Sequence, residues 1–343
     1  MSKAQMARRP RMRNRARRPM AATSLLGVGV LGVLSACGGA QGSGSAALDG
    51  CEDTYTVGFS HPVGEAQFVK ALKNVVADYG PTKCVKVLLD NTTANNLETQ
   101  RATVESWVTQ KVDAIVFWPV DPSAYTNLVA QGHEQGTKWL TYVAPIDGQD
   151  GSVGFDSDQA GQEIAADMSA WISKNHPGKD IQAAVTTLIA LPPIFGRWEK
   201  PTAALTKLGI PVVSKQDCSN QSCGLEIAEQ VLRENPRVRV FISMNDDVAL
   251  GTQKAIANAG LDPDDFYVAG YDGSPEGLEN VKAGKGAFRV TMAIQVEQLG
   301  HDIIDNALAA VTGEGDSSTL APSIRVTPAD DAEIDKLLAV FKG

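Results

Sequence analysis

The chain has 343 residues, 43% of them hydrophobic, which is enough to build two domains with a core in each. Its 31 basic residues are outnumbered by 40 acidic ones, and eight of the basic residues but none of the acidic ones fall within residues 1–36. The remainder therefore carries a net charge of −17, which argues against nucleic acid or an anionic membrane surface as the main partner.

An Arg-rich start through Arg18 leads into an apolar run over 25–34 and then Leu34, Ser35, Ala36 and Cys37. That order reads as a secretory signal peptide over 1–36, with an apolar run too short to span a bilayer. Leu-Ser-Ala-Cys followed by Gly38 and Gly39 resembles a lipobox, which implies cleavage before Cys37 and diacylation of its thiol; the plainer alternative is a free cysteine. Residues 37–50 are expected to form a flexible tether, Gly- and Ser-rich over 41–47. Gly27, Gly29 and Gly32 spell a dinucleotide-binding fingerprint, but no strand and helix flank them and the match is accidental.

Four cysteines remain after Cys37, which in an exported chain suggests two disulfides among three possible connectivities. The expected pairs are Cys51 with Cys84, tying the start of one strand to the start of its neighbour, and Cys218 with Cys223. A zinc site is the rival reading, but His61, His133, His176 and His301 lack ligand spacing, so no metal and no cofactor is expected.

From residue 55 onward, strand and helix alternate in a way that calls for parallel sheets. Strands are predicted over 55–60, 84–89, 114–118, 139–143 and 152–155, with helices over 65–79, 97–110 and, capped by Asp121 before Pro122, up to residue 135. A second lobe starts with the strand at 181–188 and repeats the alternation through residue 290. Within it, an apolar run over 240–243 ends at Asn245, Asp246 and Asp247 before a helix through 259. Asp246 is taken as that helix's cap, which leaves Asn245 free. A strand over 266–270 then turns through Tyr271, Asp272 and Gly273 into a helix capped by Ser274, with Pro275 at its first position. Asn245 and Asp272 thus sit at equivalent strand ends, where open parallel sheets bind ligands. The alternative for each is a helix cap with no further role. A helix over 332–341 closes the chain.

The stretches 245–251 and 270–275 resemble the paired signature of ribose-type periplasmic sugar-binding proteins, and a weaker resemblance runs from Thr56 to about Gly313. The resemblance implies an α/β fold of two doubly wound parallel-sheet lobes joined by a three-strand hinge, the type I architecture. It places the crossings near Asp156, Ile294 and Ala321, giving lobe 1 as 51–156 plus 295–320 and lobe 2 as 157–294 plus 321–343. It implies hinge closure on a small carbohydrate or polyol and delivery to the permease of an ABC importer, by a monomer held to the membrane through its lipid only. A receptor for a sugar or quorum signal is the alternative. An enzyme is not expected, because no nucleophile elbow, phosphate loop or His-Glu-x-x-His motif is present.

The resemblance also assigns the cleft residue by residue. Where the family has an Asn-Pro-Phe-Phe run, only Phe68 survives, and His61 and Glu65 are candidate replacements for its polar contacts. Trp118 stands where an Asn is usual and could stack on a sugar face, or plug the core instead. Val143 and Ala144 replace an Asp-Arg pair, which puts ribose itself in doubt. Arg197 matches a ligand-binding arginine whose plainer alternative is a surface ion pair; Ser219 replaces an aromatic contact; the crossing-strand Gln aligns with Ile294, next to Gln295. Arg197, Asn245 and Asp272, all from one lobe, form the retained set.

Overall fold

A computed structural model describes residues 48–342 apart from 93 and 179. Cys37, the signal peptide and most of the tether lie outside the described residues.

Two six-stranded sheets organise the described chain. The first has the order β11-β5-β4-β3-β1-β2, with β1 (Tyr55–Ser60), β2 (Val85–Leu89), β3 (Ala114–Phe117), β4 (Lys138–Tyr142), β5 (Gly151–Phe155) and β11 (Ser318–Ala321), all parallel. The second has the order β12-β10-β9-β8-β6-β7, with β6 (Gln182–Thr187), β7 (Val212–Asp217), β8 (Val238–Ile242), β9 (Tyr267–Asp272), β10 (Phe288–Ala293) and β12 (Ile324–Val326). Only β12 runs antiparallel to its neighbour. Helices cover both faces of each sheet, which is why β3 is buried at every position and reads as one apolar run.

The chain passes between the sheets three times. Asp156 follows β5 and caps α4 (Ser157–Asn175) by accepting from Gln159 N at 2.8 Å. Ile294 and Gln295 link β10 to α9 (Val296–Thr312), which packs back on α1 (Gln67–Tyr79) of the first lobe. β11 stays in the first sheet through Ala321, so the third crossing falls at Pro322 and Ser323, beyond the boundary expected at 320. α10 (Asp331–Ala339) packs on α8 (Pro275–Ala283) of the second lobe, whereas the 3₁₀ turn Val340–Lys342 packs against α1. Residues 321–343, expected wholly in lobe 2, are therefore divided between the lobes.

One apolar cluster joins Val57, Phe59 and Tyr142 of the first lobe to Val240, Ile242 and Tyr271 of the second, and each lobe has a further cluster on its outer face. Cys51 is bonded to Cys84 and Cys218 to Cys223, with Cα atoms 5.7 and 5.9 Å apart. The first bond closes a loop of 33 residues, worth roughly 3 to 4 kcal/mol in the chain-entropy picture.

Local departures from the sequence reading lie at strand ends and helix starts. The helix expected from residue 65 begins at Gln67, because Val63 N turns back to His61 Nδ1 and Ala66 N to Val63 O. Asp121 caps a 3₁₀ turn (Pro122–Tyr125) ahead of α3 (Thr126–Glu134) instead of capping the helix directly. β9 continues through Tyr271 to Asp272, held by Ile294 N donating to Asp272 O at 3.0 Å.

Candidate functional site

The carboxyl ends of both sheets converge on one polar pair and one wall of aromatic rings. Arg197 lies in the first turn of α5 (Gly196–Leu208), and its side chain is only 6% exposed. Its Nη1 donates to Asp272 Oδ1 at 2.8 Å and to the Met244 carbonyl at 3.1 Å. The guanidinium lies 5.2 Å from the ring centre of Tyr271 and 5.5 Å from that of Phe155, so lobe 1 supplies one of its two rings. Tyr271 Oη donates to the Arg197 carbonyl at 2.5 Å, fixing the backbone beneath the pair. Burial in this form is sustainable because the charge has a carboxylate, a carbonyl and two ring faces around it. The surface ion pair weighed for Arg197 is therefore not what the structure holds.

Asp272 projects from a left-handed turn, with φ of 98° at Asp272 and 67° at Gly273. A side chain at 273 has no room, since a Cβ there would come within 2.5 Å of the Ala293 Cβ. The Asp272 side chain is 35% exposed, which leaves it open on the side away from Arg197. Ser274 caps α8 through Gly277 N at 3.1 Å, so Asp272 does not serve as that helix's cap.

Asn245 and Asp246 exchange the roles the sequence reading gave them. Asn245 has extended backbone and caps α7 (Asp246–Asn258): its Oδ1 accepts from Val248 N at 3.0 Å and its Nδ2 donates to the Ser219 carbonyl at 3.1 Å. Asp246 is the first residue of the helix, and its side chain turns inward to accept from Ser274 N at 2.7 Å and Thr291 Oγ1 at 2.6 Å. Burial pushes the Asp246 carboxyl well above the usual range; the Thr291 hydrogen bond opposes this and the nearby Asp272 charge adds to it. Gly270 and Gly277 make room for it, since a Cβ at either would meet an Asp246 oxygen at 2.5 and 2.4 Å.

In lobe 1 the strand ends carry rings. His61 follows β1, and its centroid lies 5.2 Å from Trp118, which follows β3, and 5.5 Å from Tyr142 at the end of β4. Trp118 and Tyr142 lie 5.8 Å apart, and Tyr142 reaches Phe155 at 5.9 Å, all but the His61–Tyr142 pair edge to face. Burial, with Lys73 nearby, lowers the His61 pKa to about 3. The ring is therefore neutral, and since Nδ1 accepts from Val63 N at 3.2 Å its proton sits on Nε2. The Tyr142 hydroxyl is held protonated by burial first and then by the Asp272 charge, with Arg197 opposing. Through Phe155, 5.9 Å from Tyr142 and 5.5 Å from the Arg197 guanidinium, the lobe 1 wall meets the lobe 2 pair.

A hydrogen-bonded frame backs this wall. Lys73 Nζ meets Asp90 Oδ1 at 2.7 Å, Ser60 Oγ donates to Asp90 Oδ2 at 2.5 Å, and Gln100 Nε2 donates to Ser60 Oγ and to the Trp118 carbonyl, each at 2.9 Å. Gln100 Oε1 accepts from Val120 N at 2.8 Å and from Tyr125 Oη at 2.7 Å.

The remaining candidates stand apart. Glu65 is on the surface, 72% exposed and paired with Lys70 at 3.1 Å. Phe68 is half-buried against the central core. Gln295 Nε2 donates to the Pro322 carbonyl at 3.1 Å and so links the second crossing to the third, while Ile294 is buried. Val143 follows β4 in a left-handed conformation, φ 65°, uncommon for a β-branched residue. With Phe155, Asp156, Asp158, Pro193 and Leu320 it lines a cavity of about 490 Å³ that meets the site at Phe155. Tyr142, Phe155 and Tyr271 were not picked out from sequence. Trp118 was reached through the resemblance, whereas these three carry only a local signal, an aromatic residue at or next to a carboxyl strand end.

The periplasmic binding protein domain family matches residues 57–315. The ribose import binding protein of Bacillus subtilis is 24% identical over 282 residues, 81% of this chain and 88% of that protein. The xylitol-binding protein of Mycolicibacterium smegmatis is 24% identical over 274 residues, 77% of this chain and 72% of that protein. The structure of a periplasmic ribose ABC transporter protein from Conexibacter woesei superposes with a TM-score of 0.72 at 21% identity, covering 87% of this chain and 97% of that one, a likeness of fold. These relatives are solute-binding proteins and not enzymes. With two parallel-sheet lobes, three crossings and a matched segment spanning most of both lobes, the chain belongs to the type I periplasmic binding protein family.

Proposed function

We propose that the protein is a lipid-anchored extracytoplasmic binding protein of an ABC importer, which closes its lobes on a small carbohydrate or polyol and presents it to the permease. The observation that carries the reading is the Arg197–Asp272 pair opposed by the ring wall of the other lobe. Asp272 accepts hydrogen bonds from vicinal hydroxyls, Arg197 donates to hydroxyl or ring oxygens, and the rings cover C–H faces. The names of the relatives, a ribose importer's binding protein and a xylitol-binding protein, point to the same class. Closure is a rigid movement of the lobes about the three crossings.

A thermal-shift screen over pentoses, hexoses and polyols tests the ligand class, since a ligand at 100 times its Kd adds about 2.7 kcal/mol of stability. A flat screen would sink it. The anchor is tested separately. Among the described residues no helix is long and apolar enough to cross a membrane, so Cys37→Ala is expected to move the protein out of the membrane fraction. Sedimentation with membranes despite that change would remove the lipid from the proposal.

A further inference from the structure

The segment after the third crossing is fastened to both lobes. Asp330 Oδ2 accepts from Thr327 N at 2.8 Å and from Thr327 Oγ1 at 2.7 Å, which fixes the turn from β12 into α10. Ile334, Leu337 and Leu338 of α10 are buried in the outer apolar cluster of lobe 2, and Asp335 pairs with Lys282 of α8. α10 therefore moves with lobe 2. Its continuation, the 3₁₀ turn Val340–Lys342, packs against α1 of lobe 1, and Val340 and Phe341 both lie on the central cluster that the lobes share. The whole segment stands beyond the matched stretch 57–315.

Two features make this bridge a restraint on rotation. The first is where it lands. The crossings leave the first sheet at β5 and β11, at one end of its strand order, whereas α1 packs on α9 and on β2 at the other end. Packed helices stand about 8 to 10 Å apart axis to axis, so the landing on α1 is offset from the crossing that leads into α9 by roughly that distance. A turn of the lobes about the crossings therefore slides Val340 and Phe341 over α1, and close-packed side chains resist such a slide. The second feature is the looseness of the seam beside it. A cavity of about 260 Å³ separates the start of α9 from α10, lined by Gln295, His301, Ile324, Lys336, Leu337 and Val340. The hold on lobe 1 is thus concentrated in the 3₁₀ turn.

We infer that residues 331–342 form a strap across the hinge, which holds the ligand-free lobes near the arrangement seen here, with Phe155 of lobe 1 at 5.5 Å from the Arg197 guanidinium, and limits their rotation. The strap acts on the hinge of the proposed function but involves no ligand, so a flat ligand screen leaves it untouched. Double electron-electron resonance on the full chain without added ligand measures the distance between spin labels at Ala102→Cys in α2 (Leu97–Thr109) and Lys254→Cys in α7, exposed positions on lobe 1 and lobe 2. Cys37→Ala removes the fifth thiol, and the other four cysteines are held in the two disulfides. Val340→Ser combined with Phe341→Ser unfastens the turn from α1. A Gly-Gly-Ser insertion between Ala339 and Val340 keeps every side chain and slackens the strap. Both changes are expected to widen the distance distribution about twofold while unfolding remains a single transition. If the doubly substituted chain does not fold, the insertion decides. A distribution that keeps its width and mean when the insertion is present would overturn the inference and leave the proposed function standing.

Discussion

The two lobes share a sheet order and present opposite chemistry to the same cleft. Lobe 2 brings an ion pair, Arg197 with Asp272, above a buried carboxylate, Asp246, that holds the turn beneath it. Lobe 1 brings neutral rings above a buried hydrogen-bonded frame built on Lys73, Asp90, Ser60 and Gln100. One side both accepts from and donates to hydroxyl groups, while the other covers apolar surface and offers donors only from its His61, Trp118 and Tyr142 rings. The difference teaches that a common fold fixes where a ligand sits, while the residues at the strand ends decide separately, lobe by lobe, what it must look like.

The sharpest way to break this contrast is to remove the lobe 2 acceptor. Asp272→Ala is expected to lower affinity a hundredfold or more, because two charge-assisted hydrogen bonds of about 1.5 to 3 kcal/mol each disappear. The fold should survive, since Ser274 caps α8 and Arg197 keeps the Met244 carbonyl and two rings. Calorimetry beside a melting curve checks it, and unchanged affinity with a lowered melting point would leave Asp272 a structural residue.

Next comes Asp246→Ala, which leaves Ser274 N–H and the Thr291 hydroxyl unpaired in the interior. The loss of stability is about 2 to 5 kcal/mol, read from urea unfolding. A loss below about 1 kcal/mol would mean the turn does not depend on Asp246.

The pH dependence separates the lobes in sign. The folded-state pKa of His61 is about 3 against an unfolded 6.5, so between those values the unfolded chain binds more protons and stability falls as pH falls. From pH 7 to pH 4 this amounts to about 3 kcal/mol. Asp246 works the other way. Its folded-state pKa is raised above 3.8, the folded chain holds the extra proton, and its contribution is lost as pH rises past that value. Unfolding curves of His61→Phe and Asp246→Asn should each lose one of these opposing slopes. Parallel curves for wild type and His61→Phe between pH 7 and pH 4 would contradict a neutral buried ring.

How much of this was legible in sequence follows the same division. In lobe 2 the strand-to-helix punctuation, Asn-Asp-Asp after one apolar run and Tyr-Asp-Gly-Ser-Pro after another, marks both strand ends locally. The exchange between Asn245 and Asp246 was not legible, because either residue type can cap. What decides is that Asp246 finds Ser274 and Thr291, 28 and 45 residues away. In lobe 1 the frame draws on β1, α1, the end of β2 and α2 (Leu97–Thr109), and no local pattern announces a Lys, an Asp, a Ser and a Gln that meet only after folding. Tyr142 and Phe155 read as ordinary strand residues because a buried aromatic side chain serves a core and a cleft wall equally well.

The smallest effect tests where the lobe 1 face ends. Glu65 came from the sequence as a replacement for a lost polar contact, yet it stands two residues before α1 with its carboxylate 72% exposed, next to a Lys70 ammonium that is 61% exposed. Exposed pairs of this kind contribute between about 0 and 1 kcal/mol, because the charges are well hydrated and two long side chains must be held still. The turn over His61 to Gly64 keeps its own anchors, Val63 N on His61 Nδ1 and Gly64 N on the Thr92 carbonyl at 3.1 Å, so it does not depend on Glu65. Glu65→Ala is therefore expected to change stability by less than about 0.5 kcal/mol and affinity by less than about twofold. Set beside Asp272→Ala in the same titration, it measures the contrast directly: a carboxylate of lobe 2 that decides binding and a carboxylate of lobe 1 that does not. An affinity loss beyond about fivefold for Glu65→Ala, with the melting point unchanged, would put a charged group on the lobe 1 face and end the division drawn between the two lobes.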